Sequence, residues 1–190
     1  MKKIVGLIAA TAVLVSFLPG CLPLVAVGAT AGGVLVASDR RTVGTQIDDK
    51  TIAAKIESEI NNKYGDKVHI NVTSFNGIVL LTGEAPTQTQ SNEIYAISQK
   101  QEKVRATQNE IAIAEPSSMS SRSGDAYITS KVKTRFVDSK FSTTHVKVVT
   151  ERSIVYLMGL LTRDEAKEAV EIATRTTGVE KVVQIFEYTN

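Results

Sequence analysis

Few side chains in this sequence are placed for chemistry, and the first is Cys21, the single cysteine of the chain. With no second cysteine, an intrachain disulfide is excluded. Met1-Lys2-Lys3 makes a positive start, Ile4 to Leu18 is uncharged, and Leu18-Pro19-Gly20 leads into the cysteine. That order is a secretory signal peptide over residues 1–20. The thiol after the cut is the acceptor for diacylglycerol, so the expected modification is acylation of Cys21 by chains such as palmitate. The apolar run is 15 residues long, short against the roughly 20 that cross a bilayer. One fatty chain anchors reversibly at about 0.8 kcal/mol per buried methylene, and two or three hold a protein on a membrane.

The other candidates are weaker. His69 and His145 fall at equivalent strand starts and read as a shared structural position. Neither has a Cys or carboxylate cluster beside it in sequence, so no zinc signature forms. Glu165 and Glu168 share a helix with Lys167, the pattern of a solvated face. No phosphate-cradling glycine loop, nucleophile elbow or histidine–carboxylate dyad appears. The expectation is a non-enzyme with no cofactor and no metal. Composition bears on partners too. Without Lys2 and Lys3 the chain carries 20 basic and 20 acidic side chains, Trp is absent and aromatics are 5%. A neutral chain poor in aromatics excludes nucleic acid as the main partner.

These residues are positioned by a repeat. Thr51 aligns with Tyr127 at an offset of 76 residues, without a gap as far as Gly83 and Gly159. Ile52, Ile56 and Ile60 meet Ile128, Val132 and Phe136, an i, i+4, i+8 stripe that predicts an amphipathic helix in each copy. Asp49 and Asp125 are expected to cap these helices. Strand runs follow at 68–74 with 78–83, and at 145–150 with 154–159. Asn76-Gly77 predicts a tight hairpin turn, whereas Arg152-Ser153 is a weaker signal. Gly83 and Gly159 are expected between strand and helix, at a close backbone approach. Thr87-x-x-Gln90 and Thr162-x-x-Glu165 are capping boxes for the second helices. The last strands are expected near 107–113 and 182–188, returning parallel to their sheets. The fold class is α+β: tandem αββαβ units, each a small three-stranded mixed sheet with two helices on one face. The boundaries are residues 1–20 for the signal, 21–46 for a lipidated tether, 47–115 for the first unit, 116–124 for a linker and 125–190 for the second. Asp39-Arg40-Arg41 is expected to bring the tether into water. Units of this size bury little core alone, so the two are expected to lean on each other.

The αββαβ order, the glycine after the second strand of each copy and the late runs Val104 to Asn109 and Val179 to Gln184 resemble the BON domain. Thr107 and Gln184 depart mildly from its pattern. Arg41 to Asp49, Ile70 to Thr73 and Met158 to Thr162 are similar to outer-membrane lipoproteins carrying two such domains. The resemblance covers nearly all of the chain after the signal. It implies a non-enzymatic, lipid-anchored protein of the outer membrane facing the periplasm, which binds anionic phospholipid, supports envelope integrity and is enriched at division sites. Leu22 after the cysteine, in place of Asp, implies export to the outer membrane on the same ground.

The copies differ most in charge. Residues 47–115 carry seven basic and ten acidic side chains, and residues 122–190 eleven and nine. Where the first copy has Lys55, Glu57 and Glu59, the second has Lys131, Lys133 and Arg135, with Tyr127 in place of Thr51. A tyrosine with long basic neighbours suits a headgroup layer. Tyr127, Lys131, Lys133 and Arg135 are therefore the candidate lipid-binding residues, and an anionic phospholipid membrane the expected partner. The alternative is a scaffold for outer-membrane assembly proteins, docked through the acidic first copy or an open strand edge.

Overall fold

A computed structural model of the chain describes residues 39–139 and 141–189. The signal segment, Cys21 and residues 22–38 of the tether lie outside the described residues. The first repeat runs α1 (Val43–Tyr64), a 3₁₀ turn (Gly65–Lys67), β1 (His69–Phe75), β2 (Ile78–Ala85), α2 (Gln88–Gln99) and β3 (Ala106–Ile113). The second runs α3 (Met119–Asp138), β4 (Val146–Glu151), β5 (Ile154–Leu161), α4 (Arg163–Thr174) and β6 (Lys181–Tyr188). The sheets are ordered β1-β2-β3 and β4-β5-β6. Each joins an antiparallel hairpin to a parallel last strand. This is the expected α+β class with two small mixed sheets.

The first helices start earlier than the sequence suggests. Thr42 caps α1, accepting from the Thr45 N–H at 3.1 Å. Ser118 caps α3, accepting from the Ser121 N–H at 3.2 Å. So α1 begins inside the expected tether and α3 inside the expected linker. Asp49 and Asp125 are therefore not helix caps. Both are buried within their helices and face the hairpins. Asp49 accepts from the N–H groups of Asn76 (2.7 Å) and Gly77 (2.8 Å), and from the Ser74 hydroxyl at 2.6 Å. Asp125 accepts from the N–H groups of Arg152 and Ser153, both at 2.9 Å. Asn76 and Gly77 have φ of 52° and 74°, and Arg152 and Ser153 have 53° and 61°. Both turns are thus of the positive-φ hairpin kind, although only the first has residues that favour it. In the second, a buried carboxylate supplies what the residue types do not. α2 and α4 carry the two capping boxes as read.

Alternation along the strands sorts two faces per sheet. On β2, Val79, Leu81 and Ala85 meet Ile52, Ile56 and Ile60 of α1 and Ile94 and Ile97 of α2. On β5, Val155, Leu157 and Leu161 meet Ile128, Val132 and Phe136 of α3 and Ala169 of α4. The opposite faces pack on each other: Phe75 and Leu80 meet Tyr156 and Met158, flanked by Ile78, Val149, Ile154 and Ile185. The layers run helices, sheet, sheet, helices. A polar rim crosses the seam. Asn71 Nδ2 donates to Glu151 at 2.7 Å, and Asn76 Nδ2 and Arg105 Nη2 each reach Glu187 at 2.6 Å.

Gly83 and Gly159 lie within β2 and β5, not after them, opposite Ile70 and Val146. A Cβ on Gly83 would sit 2.0 Å from the His69 carbonyl oxygen, at φ +111°. On Gly159 it would sit 2.7 Å from the equivalent His145 oxygen. The expected outcome is that Gly83→Ala destabilises by about 3 kcal/mol or more, combining strain with overpacking. Gly159→Ala should cost less, because it adds crowding without a left-handed φ. Urea unfolding of the two variants checks the ranking.

Candidate functional site

The stripe Ile128, Val132, Phe136 turns one side of α3 into the core and leaves the other on the outside of the molecule. Tyr127 lies on that outer side, 65% exposed. Lys131 Nζ sits 4.7 Å from the centre of its ring and donates to the Thr177 carbonyl. One turn further, Arg135 Nη1 donates to the Arg175 carbonyl at 2.8 Å. Tyr127, Lys131 and Arg135 therefore form a line beside the loop that follows α4. Lys133 is not on it. At about 100° per residue it falls on the opposite flank, where it lines a cleft with Val137, Thr143 and Val146. Val137, one turn beyond Lys133, is also largely exposed. Burial, then the neighbouring charge of Lys133, hold the Lys147 ammonium below its ordinary value. The four residues thus surround one exposed helix face without converging on a pocket.

This arrangement can do little bond chemistry. Lys131 gives up one of three N–H donors to a carbonyl, and Arg135 one of five. The remaining donors stay available on fixed side chains. The face can accept phosphate oxygens at its cations and an apolar medium at Tyr127 and Val137.

Residues 48–115 and 124–190 each match the family model described as the BON domain. The chain belongs to the BON-domain family. The outer membrane lipoprotein DolP of Haemophilus influenzae is 36% identical over 191 residues, covering 99% of this chain and 96% of its own. The 21 kDa hemolysin of Actinobacillus pleuropneumoniae is 33% identical over 79% of each chain. The osmotically-inducible protein Y of Escherichia coli is 27% identical over 80% of this chain and 78% of its own. The end-to-end match supports an outer-membrane lipoprotein. Among the described residues no helix is long and apolar enough to cross a membrane.

The sequence missed the residues that tie the chain to both BON domains where it enters them. Asp39-Arg40-Arg41 does not simply mark entry into water. Arg40 donates to both carboxylate oxygens of Glu165, at 2.7 and 2.8 Å, and to the Leu160 carbonyl at 2.7 Å. Arg41 donates to Asp39 and, at 2.8 Å, to Asp49, and its guanidinium lies 3.8 Å from the centre of the Phe75 ring. One arginine thus holds the second BON domain and the next holds the first. Nothing in their spacing signals this, because their partners lie in other elements.

The Arg40 guanidinium, ahead of the bonds from Thr162, holds the Glu165 carboxyl down from 4.5 to about 2. A depressed folded-state value stabilises the fold fully above its unfolded value, and the gain is lost as pH falls through the folded value. The clamp's contribution should decline as pH falls below 4.5 and be gone as it nears about 2. Glu165→Gln should lower the urea midpoint at neutral pH and flatten its dependence on pH across that window. An unchanged acid profile would argue against the clamp.

Proposed function

We propose that the chain is a lipid-anchored outer-membrane protein facing the periplasm, and that its second BON domain presents α3 to anionic phospholipid. The observation that carries this reading is Tyr127, 65% exposed on a helix whose other side is core, with Lys131, Lys133 and Arg135 around it. Each Lys or Arg near an anionic surface contributes about 1 kcal/mol, so the three basic residues together give about 3 kcal/mol. That is weak in solution and sufficient beside a bilayer that holds the acyl chains of Cys21. Envelope integrity and division-site enrichment belong to this reading through the family likeness.

A second reading has one observation in its favour. Among the described residues β3 pairs only with β2, which leaves its other edge open, and Ile113 at its end is exposed. That edge suits a scaffold for outer-membrane assembly proteins, bound by strand addition. Crosslinking in envelopes separates the two, since a dominant protein adduct on β3 favours the scaffold.

Flotation of residues 22–190, without the acylated cysteine, with vesicles of neutral and anionic lipid tests the first reading. Binding should require anionic lipid and weaken as salt rises. Tyr127→Glu should abolish it. Replacing Lys131 and Arg135 together by Ala should weaken it by about 30-fold, the equivalent of about 2 kcal/mol. Equal binding to neutral vesicles, or full binding by Tyr127→Glu, would sink the assignment.

A further inference from the structure

The seam between the BON domains holds a group of side chains that the lipid-facing reading does not use. Glu84 lies on β2, on the face turned to the other sheet, and is fully buried at 0% exposure. Glu151 ends β4 of the second domain and is 4% exposed. His69 begins β1. A ligand atom from each of these three residues lies within 4.8 Å of the other two. His69 Nε2 is 3.9 Å from Glu151 Oε1. The sequence sets His69 aside as a ligand because no Cys or carboxylate cluster is near it in the chain. The fold supplies two, one from each domain.

The carboxylates are oriented from behind. Asn71 Nδ2 donates to Glu151 Oε2 at 2.7 Å, and the Ser117 N–H donates to Glu84 Oε2 at 3.2 Å. Glu84 Oε1 has no hydrogen-bond partner. The nearest cation to it is Arg152 Nη1 at 3.8 Å, beyond hydrogen-bond reach and on a half-exposed side chain. Arg122 stands on the wall of the adjoining cleft, with its Nε 3.3 Å from Ser117 Oγ. Asn71 Nδ2 also lies 3.4 Å from His69 Nε2, a long contact. A fully buried carboxylate oxygen without a donor is costly. The buried Glu151 carboxylate lies beside it with an imidazole nitrogen across from both, and among the described residues no cation comes within hydrogen-bond distance of either carboxylate.

We propose that His69 Nε2, Glu84 and Glu151 form a divalent-cation site of the zinc class that clips the first BON domain to the second. One imidazole and two carboxylates, with water in the fourth position, is a donor set that zinc accepts. Ligand bonds of about 2.0–2.2 Å place tetrahedral donors about 3.3 Å apart. The His69–Glu151 gap of 3.9 Å, and ligand-atom gaps of up to 4.8 Å within the group, would close by side-chain rotation as the ion binds. An open cleft of about 480 Å³, lined by His69, Arg122 and Glu151 among others, gives the ion a way in. The other repeat provides an internal contrast. His145 Nδ1 lies 3.7 Å from Glu165, but Arg40 already neutralises that carboxylate. The ion belongs at one seam position only.

The test is zinc titration of the untagged full chain in detergent, by calorimetry and by thermal unfolding. One equivalent should bind and raise the unfolding midpoint. Glu84→Gln, nearly isosteric, should keep the fold and weaken zinc binding at least tenfold, and so should His69→Ala. His145→Ala should bind zinc as the parent does. No binding of one equivalent, or binding unchanged in both Glu84→Gln and His69→Ala, overturns the site. So does a zinc-silent parent that is stabilised in mild acid and matched there by Glu84→Gln, since that pattern means a shared proton.

Discussion

Each BON unit is too small to cover both faces of its sheet, and this single constraint shapes the molecule. The paired helices cover one face. The other is also apolar at its centre, with Phe75 and Leu80 in the first sheet and Tyr156 and Met158 in the second. Alone, each unit would expose that face to water. Packed together, they bury both without any new element. The duplication is therefore a requirement of the fold and not only a doubling of surface. What remains outside is the outer sides of the helices and the sheet edges, and any partner must be met there.

The same packing forces polar groups into the seam wherever β-strand alternation carries them. Glu84 is on the inter-sheet face because Leu80 is, two positions apart twice over. Tyr156, on that face of β5, has its phenol pushed up to about 12, chiefly by burial. Rim groups such as Glu187 are hydrogen-bonded by an arginine of the opposite repeat, whereas Arg152 stops 3.8 Å short of Glu84 Oε1, which has no hydrogen-bond donor. The seam is thus a hydrophobic joint with a charged border, and the border is where the two copies recognise each other as different.

Local pattern made much of this legible. The Ile52, Ile56, Ile60 stripe and its partner fixed the helices, the capping boxes fixed the starts of α2 and α4, and the offset of 76 fixed the duplication. What stayed hidden was contact between elements. Asp49 and Asp125 look like caps because carboxylates before an apolar stripe usually are. Their acceptors' true donors, the turn N–H groups of Asn76, Gly77, Arg152 and Ser153, lie more than 25 residues away. Arg40 and Arg41 look solvated for the same reason. The candidate lipid-facing residues were legible as a helix face, but Lys133 was grouped with Lys131 and Arg135 by charge, although a two-residue step turns it to the other flank.

On the proposed reading, the weakness of the α3 face is part of how it works. A site of about 3 kcal/mol cannot by itself keep a protein on a membrane, since even millimolar affinity needs about 4 kcal/mol. Acylation at Cys21 removes that demand by holding the domains near the bilayer at high effective concentration. The cations of α3 then decide orientation and not residence. They favour membrane regions rich in negative headgroups and release where those are sparse. For that choice to reach the first domain, the seam must transmit it as a rigid body. The sheet-to-sheet joint and the Arg40 and Arg41 clamps, which hold one domain each, give it that stiffness.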